Sequence, residues 1–297
     1  MTSTNLSTFE AAIVDTCEKY QEAHWEDPDY RPCVSIDGTY FVKFKETRFL
    51  WPEIATHVYI SEYAQSQPET PGMPRISKVI HHFTDQNMMY MVMEHITLTD
   101  TSPDPTKIAE ALRWLSEVPA PPDHVFGPLG GGVIRHSFFK DYEAPLVFSS
   151  IEALERYIEK VRPCLYFLDP PLISNLGQAG TYLSKLRRTP LERVSLSGER
   201  IMFTQPDMHP SNFGVDEHGN TVLMDFGEIA MLPESFVAFT LAQYESQAAS
   251  ATARSIGLSR RSHLTSMAVI ASVLWMIADP RLGLNEDGYP KASVRKR

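Results

Sequence analysis

From Gln205 to Gly227 the chain reads QPDMHPSNFGVDEHGNTVLMDFG, a polar loop followed by two short strand-like runs, NFGVD and TVLMDFG, around a turn at 217–220. A loop leading into such a strand pair brings Asp207, Asn212 and Asp225 to one cleft mouth, with Asp225 at the end of the second strand. The rest of the chain has to fold so that this mouth stays open.

Upstream, PCVSI and TYFVKFK are strand-like and are separated by Asp37 and Gly38, a pair that favours a tight hairpin; Lys43 falls near the end of the second run. Residues 51–63 carry Ile54, Val58 and Tyr59 on an apolar stripe, which predicts a helix with Pro52 in its first turn. The runs ISKVIHHF and MMYMVMEHI, separated by polar TDQN, predict a further pair of strands. A small antiparallel sheet with one packed helix is therefore expected over residues 30–95, preceded by an amphipathic helix from Thr8 to Trp25.

Beyond Ile96 the signals turn helical, over residues 105–118, 150–161 and 171–186, and again from Pro233 through Ile277, with a polar tail after Pro280. RVSLSG and ERIMFTQ predict two short strands ahead of the loop. The expectation is an α+β chain in two lobes, an N-terminal lobe of residues 1–95 and a mainly helical C-terminal lobe of residues 96–297, with the boundary near MEHITLTD. Gly130 to Gly132, within FGPLGGGVIRHSFF, lack the Gly-Lys-Ser or Gly-Lys-Thr ending of a phosphate loop and are read as a flexible surface loop. Trp114, Tyr157, Tyr166 and Trp275 are expected in the core, whereas the Met-rich run Met88 to Met93 suits either a buried alternating strand or the lining of a pocket.

Composition narrows the function. A net charge of -10 offers no basic footprint for a phosphate backbone, so nucleic acid is not an expected partner. Cys17, Cys33 and Cys164 form no CxxC pair, which argues against a redox couple or structural zinc and fits a reducing, cytoplasmic setting. The N-terminus lacks the pattern of a secretory signal, and the longest apolar stretch, Met267 to Ile277, is too short to span a bilayer.

The chemistry implied by the opening run is phosphoryl transfer, in which magnesium needs only a few hard oxygen ligands because phosphates and waters complete its octahedron. Asn212 and Asp225 supply such oxygens, and Asp207 can orient a substrate hydroxyl and accept its proton. The structural alternative for these side chains is loop capping and Asx turns. His209, with no second His or Cys beside it, is read as a loop organiser.

On D-M-H-P-S-N at 207–212 and M-D-F-G at 224–227, the chain resembles the aminoglycoside phosphotransferase and choline kinase branch of the protein-kinase-like superfamily, fungal members included. The resemblance runs over about residues 30 to 240. It implies a two-lobed protein-kinase-like fold that binds ATP and Mg2+ between its lobes and phosphorylates a hydroxyl-bearing small molecule. It makes Asp207 the catalytic base and Asn212 and Asp225 the metal ligands; Lys43 holds the ATP phosphates, partnered by Glu53 in preference to Glu62. MVMEHI becomes the hinge that grips adenine, through Met93, Glu94 and His95.

Three departures from that branch stand out. Gln205 occupies a position where the family often has His, no glycine-rich loop precedes Lys43, and no Ala-Pro-Glu segment follows Asp225. The last disfavours a protein substrate; the first two keep open a noncatalytic kinase-like nucleotide-binding or regulatory protein. Adenylyl transfer also remains open, as do the acceptor and the oligomeric state. Asp141, Glu143 and Glu152 are read as solvated acids before they are read as an amine site.

Overall fold

The computed structural model describes residues 3–101, 103–162, 191–244, 246–258 and 263–291. Helix α1 (Ser3–His24) precedes a four-stranded antiparallel sheet of β1 (Cys33–Ile36), β2 (Tyr40–Glu46), β3 (Val79–Asp85) and β4 (Met88–Glu94), in the order β1-β2-β4-β3. The predicted hairpin forms with Asp37 and Gly38 both at positive φ (51° and 62°) and Thr39 N–H donating to Ile36 O, the backbone of a type I′ turn.

Alternation along β2 and β4 sends side chains to both faces of this sheet. Val42, Phe44, Tyr90 and Val92 face α1, packing on Ile13 and Cys17, while Met89, Met91 and Met93 face helix α2 (Thr47–Ser66) and pack on Leu50 and Ile54. The Met-rich run is thus a strand buried on both sides. Helix α2 begins directly after β2, where Thr47 donates through N–H and Oγ1 to Asn87 O. Pro52 consequently lies inside the helix rather than in its first turn, where its ring and missing N–H are costly.

The second lobe contains α3 (Pro105–Glu117), α4 (Ile151–Val161), α5 (Glu234–Gln243), α6 (Gln247–Ile256) and α7 (Leu264–Met276). Asp104 caps α3 by accepting from Thr106 N–H, and Ser150 caps α4 by accepting from Ala153 N–H. Strands β5 (Leu98–Asp100), β7 (Phe213–Asp216) and β8 (Thr221–Leu223) form one small sheet, and β6 (Ile201–Thr204) pairs with β9 (Ala230–Pro233). Together these elements give the expected α+β layout of two lobes. They are stitched by Arg75, whose N–H donates to Thr221 O and whose carbonyl accepts from Leu223 N–H.

Four expectations require correction or lie out of reach. RVSLSG is not a strand: the main chain at Leu196 and Ser197 donates to the Glu155 carboxylate instead, and β6 finds its partner in β9. Trp275 is 43% exposed at the end of α7, edge-on to Tyr142, whereas Trp114 and Tyr157 are buried. The glycine run lies at the surface as expected, with Gly131 and Gly132 exposed, but it is anchored there: Gly127 exchanges two backbone hydrogen bonds with Met231 and Gly130 abuts α2. The helix expected over 171–186, with Cys164 and Tyr166, lies outside the described residues. No described helix is long and apolar enough to cross a membrane.

Candidate active site

Three elements converge on Lys43. Strand β2 carries it on the α2 side of the sheet, where Nζ lies 2.6 Å from Glu53 Oε1 and 3.1 Å from Asp225 Oδ1. The Glu53 side chain is 1% exposed, that of Lys43 16% and that of Asp225 52%, so the pair with Glu53 is internal and the contact with Asp225 opens to solvent. Glu62, the alternative partner, is exposed on α2.

Burial acts against the Lys43 ammonium, but the adjacent Glu53 and Asp225 carboxylates outweigh it and hold its pKa above the ordinary lysine value. Burial likewise acts against the Asp225 carboxylate; the Lys43 charge and hydrogen bond, with the Gly227 N–H, hold its pKa below the usual range. Both groups are therefore charged at neutral pH, Lys43 as a donor and Asp225 as an acceptor.

The loop after β6 is built around Gln205. Its Nε2 donates to Asp225 O (3.1 Å) and its Oε1 accepts from Asp207 N–H (3.2 Å), so one amide sets the spacing of the two aspartates. Asn212, buried in a short 3-10 turn (Pro210–Asn212), donates through Nδ2 to Asp207 O (3.0 Å), and its backbone carbonyl accepts from Met224 N–H (2.9 Å). The Nδ2 bond to Asp207 O fixes which end of the side-chain amide is oxygen. His209 N–H donates to Asp207 Oδ1, and the His209 ring bonds Ser211, all within the loop.

Asp225 itself has φ 54°, an uncommon conformation for a residue with a side chain, and Gly227 N–H donates to its Oδ1. Phe226 is buried and stacks on His57 of α2 with ring centroids 4.2 Å apart. The donor set of one carboxylate and one carboxamide fits magnesium, which tolerates two protein ligands when phosphate and water supply the rest.

At the end of β4, Met93 is buried against α2, Glu94 pairs with Arg75 (2.8 Å) and accepts from Lys78 N–H, and His95 N–H donates to Thr39 O. His95 Nδ1 is buried without a hydrogen-bond partner. Lys43, Glu53 and Asp225 therefore meet directly, and Asp207 and Asn212 join them through Gln205 and the loop backbone.

Two residues of the site carried weaker signals in the sequence. Glu228 is half-buried, and burial together with the charges of Asp207 and Asp225 raises its pKa to about 7, against the pull of Arg135 and Lys45. Its signal was an acid directly following the Asp-Phe-Gly triplet. His57 lies four residues beyond Glu53, on the same helix face, and burial lowers its pKa to about 4 while Nε2 bonds Ser77 O.

No protein-family model matches the chain, and no curated protein matches it in sequence. Solved structures do match. Aminoglycoside phosphotransferase APH(3'')-Id from Streptomyces rimosus aligns at 13% identity and a TM-score of 0.44, over 88% of this chain and 98% of that one. An aminoglycoside phosphotransferase from Alicyclobacillus acidocaldarius aligns at 15% identity and a TM-score of 0.41, over 84% and 80%. A thermostable mutant of APH(4)-Ia, in ternary complex with AMP-PNP and hygromycin B, gives 15% and 0.42, over 82% and 79%. At such values the roles of residues here rest on their own geometry.

Proposed function

We propose that the protein is an ATP-dependent phosphotransferase acting on a hydroxyl of a small metabolite. The observation that carries this reading is the Lys43 ammonium held between buried Glu53 and half-exposed Asp225, with Gln205 bridging Asp225 to the Asp207 loop.

Asp207 orients the acceptor hydroxyl and takes its proton as the oxygen attacks the terminal phosphate. Lys43, positioned by Glu53, lies against the phosphate oxygens and balances their charge. Asn212 and Asp225 would hold magnesium, which when bound neutralises and orients the phosphate chain. Met93, Glu94 and His95 form the wall for the nucleotide base. A cytoplasmic setting accords with Cys17 and Cys33 as free thiols.

A second reading, a kinase-like nucleotide-binding or regulatory protein without transfer, has its own support. Strand β1 is the edge of the sheet, and what precedes it is α1 and an acidic turn with Glu26, Asp27 and Asp29 rather than a glycine-rich strand pair. Calorimetry with Mg-ATP, followed by mass spectrometry of products over a panel of hydroxylated metabolites, separates the readings. Binding with a phosphorylated product supports transfer; binding without product supports the second; an AMP adduct redirects the proposal to adenylyl transfer; no binding removes both.

A further inference from the structure

The turn at 128–131 touches the functional site from outside it. Gly131 N–H donates to Pro128 O, closing a turn with Leu129 and Gly130 at its corner, and the Gly127–Met231 pair of hydrogen bonds anchors it to β9. Strand β9 begins five residues after Asp225. At the corner, Gly130 lies directly on the backbone of α2: a Cβ there would stand 2.6 Å from Pro52 Cα and 2.9 Å from both Pro52 N and Trp51 O. These are backbone atoms, which cannot swing aside as a side-chain end can. Glu53 is the next residue along the helix.

We infer that Gly130 is a positioning residue, through which the second lobe holds α2 at the depth that seats the Glu53 carboxylate on Lys43. Glycine is required for contact and not for conformation, since Gly130 lies outside the left-handed region whereas Gly131, at φ 75°, lies within it and has nothing within 4 Å of its would-be Cβ. The two neighbours therefore separate the effects. Gly130→Ala drives a methyl into α2 without backbone strain, and Gly131→Ala strains the turn without touching the helix. Gly132, whose Cβ would come 3.6 Å from Pro52 Cγ, completes the clasp around the proline.

The inference draws its catalytic consequence from the phosphotransferase reading, but its test does not depend on that reading. Lys43 acylation by acetic anhydride, followed by mass spectrometry on the full chain, reports how often the ammonium leaves its partners. Gly130→Ala is expected to raise the Lys43 rate by roughly threefold or more, with Gly131→Ala at the wild-type rate although its melting temperature falls. In a chain that turns over ATP, Gly130→Ala also raises KM for ATP, and Gly131→Ala does not. Leu129→Ala, which loosens the turn from its partly buried anchor without a clash, is the second variant and is expected to raise the rate as well. Wild-type Lys43 acylation in folded Gly130→Ala or Leu129→Ala, or an equal rise in Gly131→Ala, overturns the inference. Absence of ATP binding by the wild type sinks the phosphotransferase reading and leaves the acylation result to decide this one.

Discussion

Replacing Lys43 by Met removes the cation from between two carboxylates that differ in exposure, and the consequence follows from that difference. Glu53, at 1% exposure, loses the ammonium it is paired with while remaining inside the protein. Removing one member of a buried pair costs about 3–5 kcal/mol because the other charge is left uncompensated. Asp225 is half-exposed and adds no more than about 1 kcal/mol. For a chain of this size the sum corresponds to a fall in Tm of roughly 6–12 °C at pH 8. Lys43→Met/Glu53→Gln removes the stranded charge and should recover at least half of that fall. Differential scanning fluorimetry of wild type, Lys43→Met and the double variant at pH 8 measures both effects. A Lys43→Met variant melting within about 1 °C of wild type at pH 8, or a double variant melting below it, would refute the reasoning.

Asp225→Asn should abolish the stabilisation by Mg-ATP, about 2.7 kcal/mol in the wild type at a hundredfold excess over Kd, as read by thermal shift. Asp207→Asn should leave that shift intact and lower kcat roughly 100-fold or more in a phosphotransfer assay. His57 and His136 are buried neutral, with pKa values lowered by burial to about 4 and about 3, so the unfolded chain takes up their protons first as the pH falls below 6.5. Each should therefore remove about 2 kcal/mol of stability between pH 7 and pH 5, and replacing His57 by Gln should flatten that slope in urea unfolding. Glu228 has the opposite sign: its pKa is raised to about 7, so its contribution is present below pH 4.5 and is lost as the pH rises through 7. Glu228→Gln should accordingly stabilise the protein at pH 8 by about 1 kcal/mol after solvent screening, and leave it unchanged near pH 4.5.

The first lobe was legible because local chemistry decided it. Asp37-Gly38 specified a turn that few other residue pairs adopt, and the runs of β2 and β4 specified strands, while whether the Met-rich run is a packed strand or a pocket lining is settled only by its packing on α1 and α2. The preference for Glu53 over Glu62 came from the family resemblance, which implies an acid early in the helix after the Lys-bearing strand, and Glu53 is the one that meets Lys43. What could not be read was set by partners distant in the chain. RVSLSG has strand-like residues, yet Glu155, some forty residues earlier, captures its N–H groups, and β6 pairs with β9 instead. The glycine run resembled a free loop because no local pattern announces that α2, nearly eighty residues upstream, lies against it. Pro52 misled for a related reason: proline marks first turns, but the anchor at Asn87 starts this helix one turn sooner.

Within six residues of α2, Pro52 meets the turn of the second lobe, Glu53 meets the lysine of the sheet, and His57 stacks on Phe226 behind Asp225. Residues 52, 53 and 57 lie within about one and a half helical turns, so a rigid displacement of the helix moves all three together. The cleft is thus not two independent walls. Glu53 sets Lys43 from one side while His57, through Phe226, sets the turn that aims Asp225 at the same ammonium from the other. Lys43 can contact both carboxylates only while α2 keeps its depth, and that depth is fixed where two backbones meet with no side chain between them. On the inference drawn for Gly130, the glycine acts on the Lys43–Glu53 pair through that contact alone, without touching either side chain.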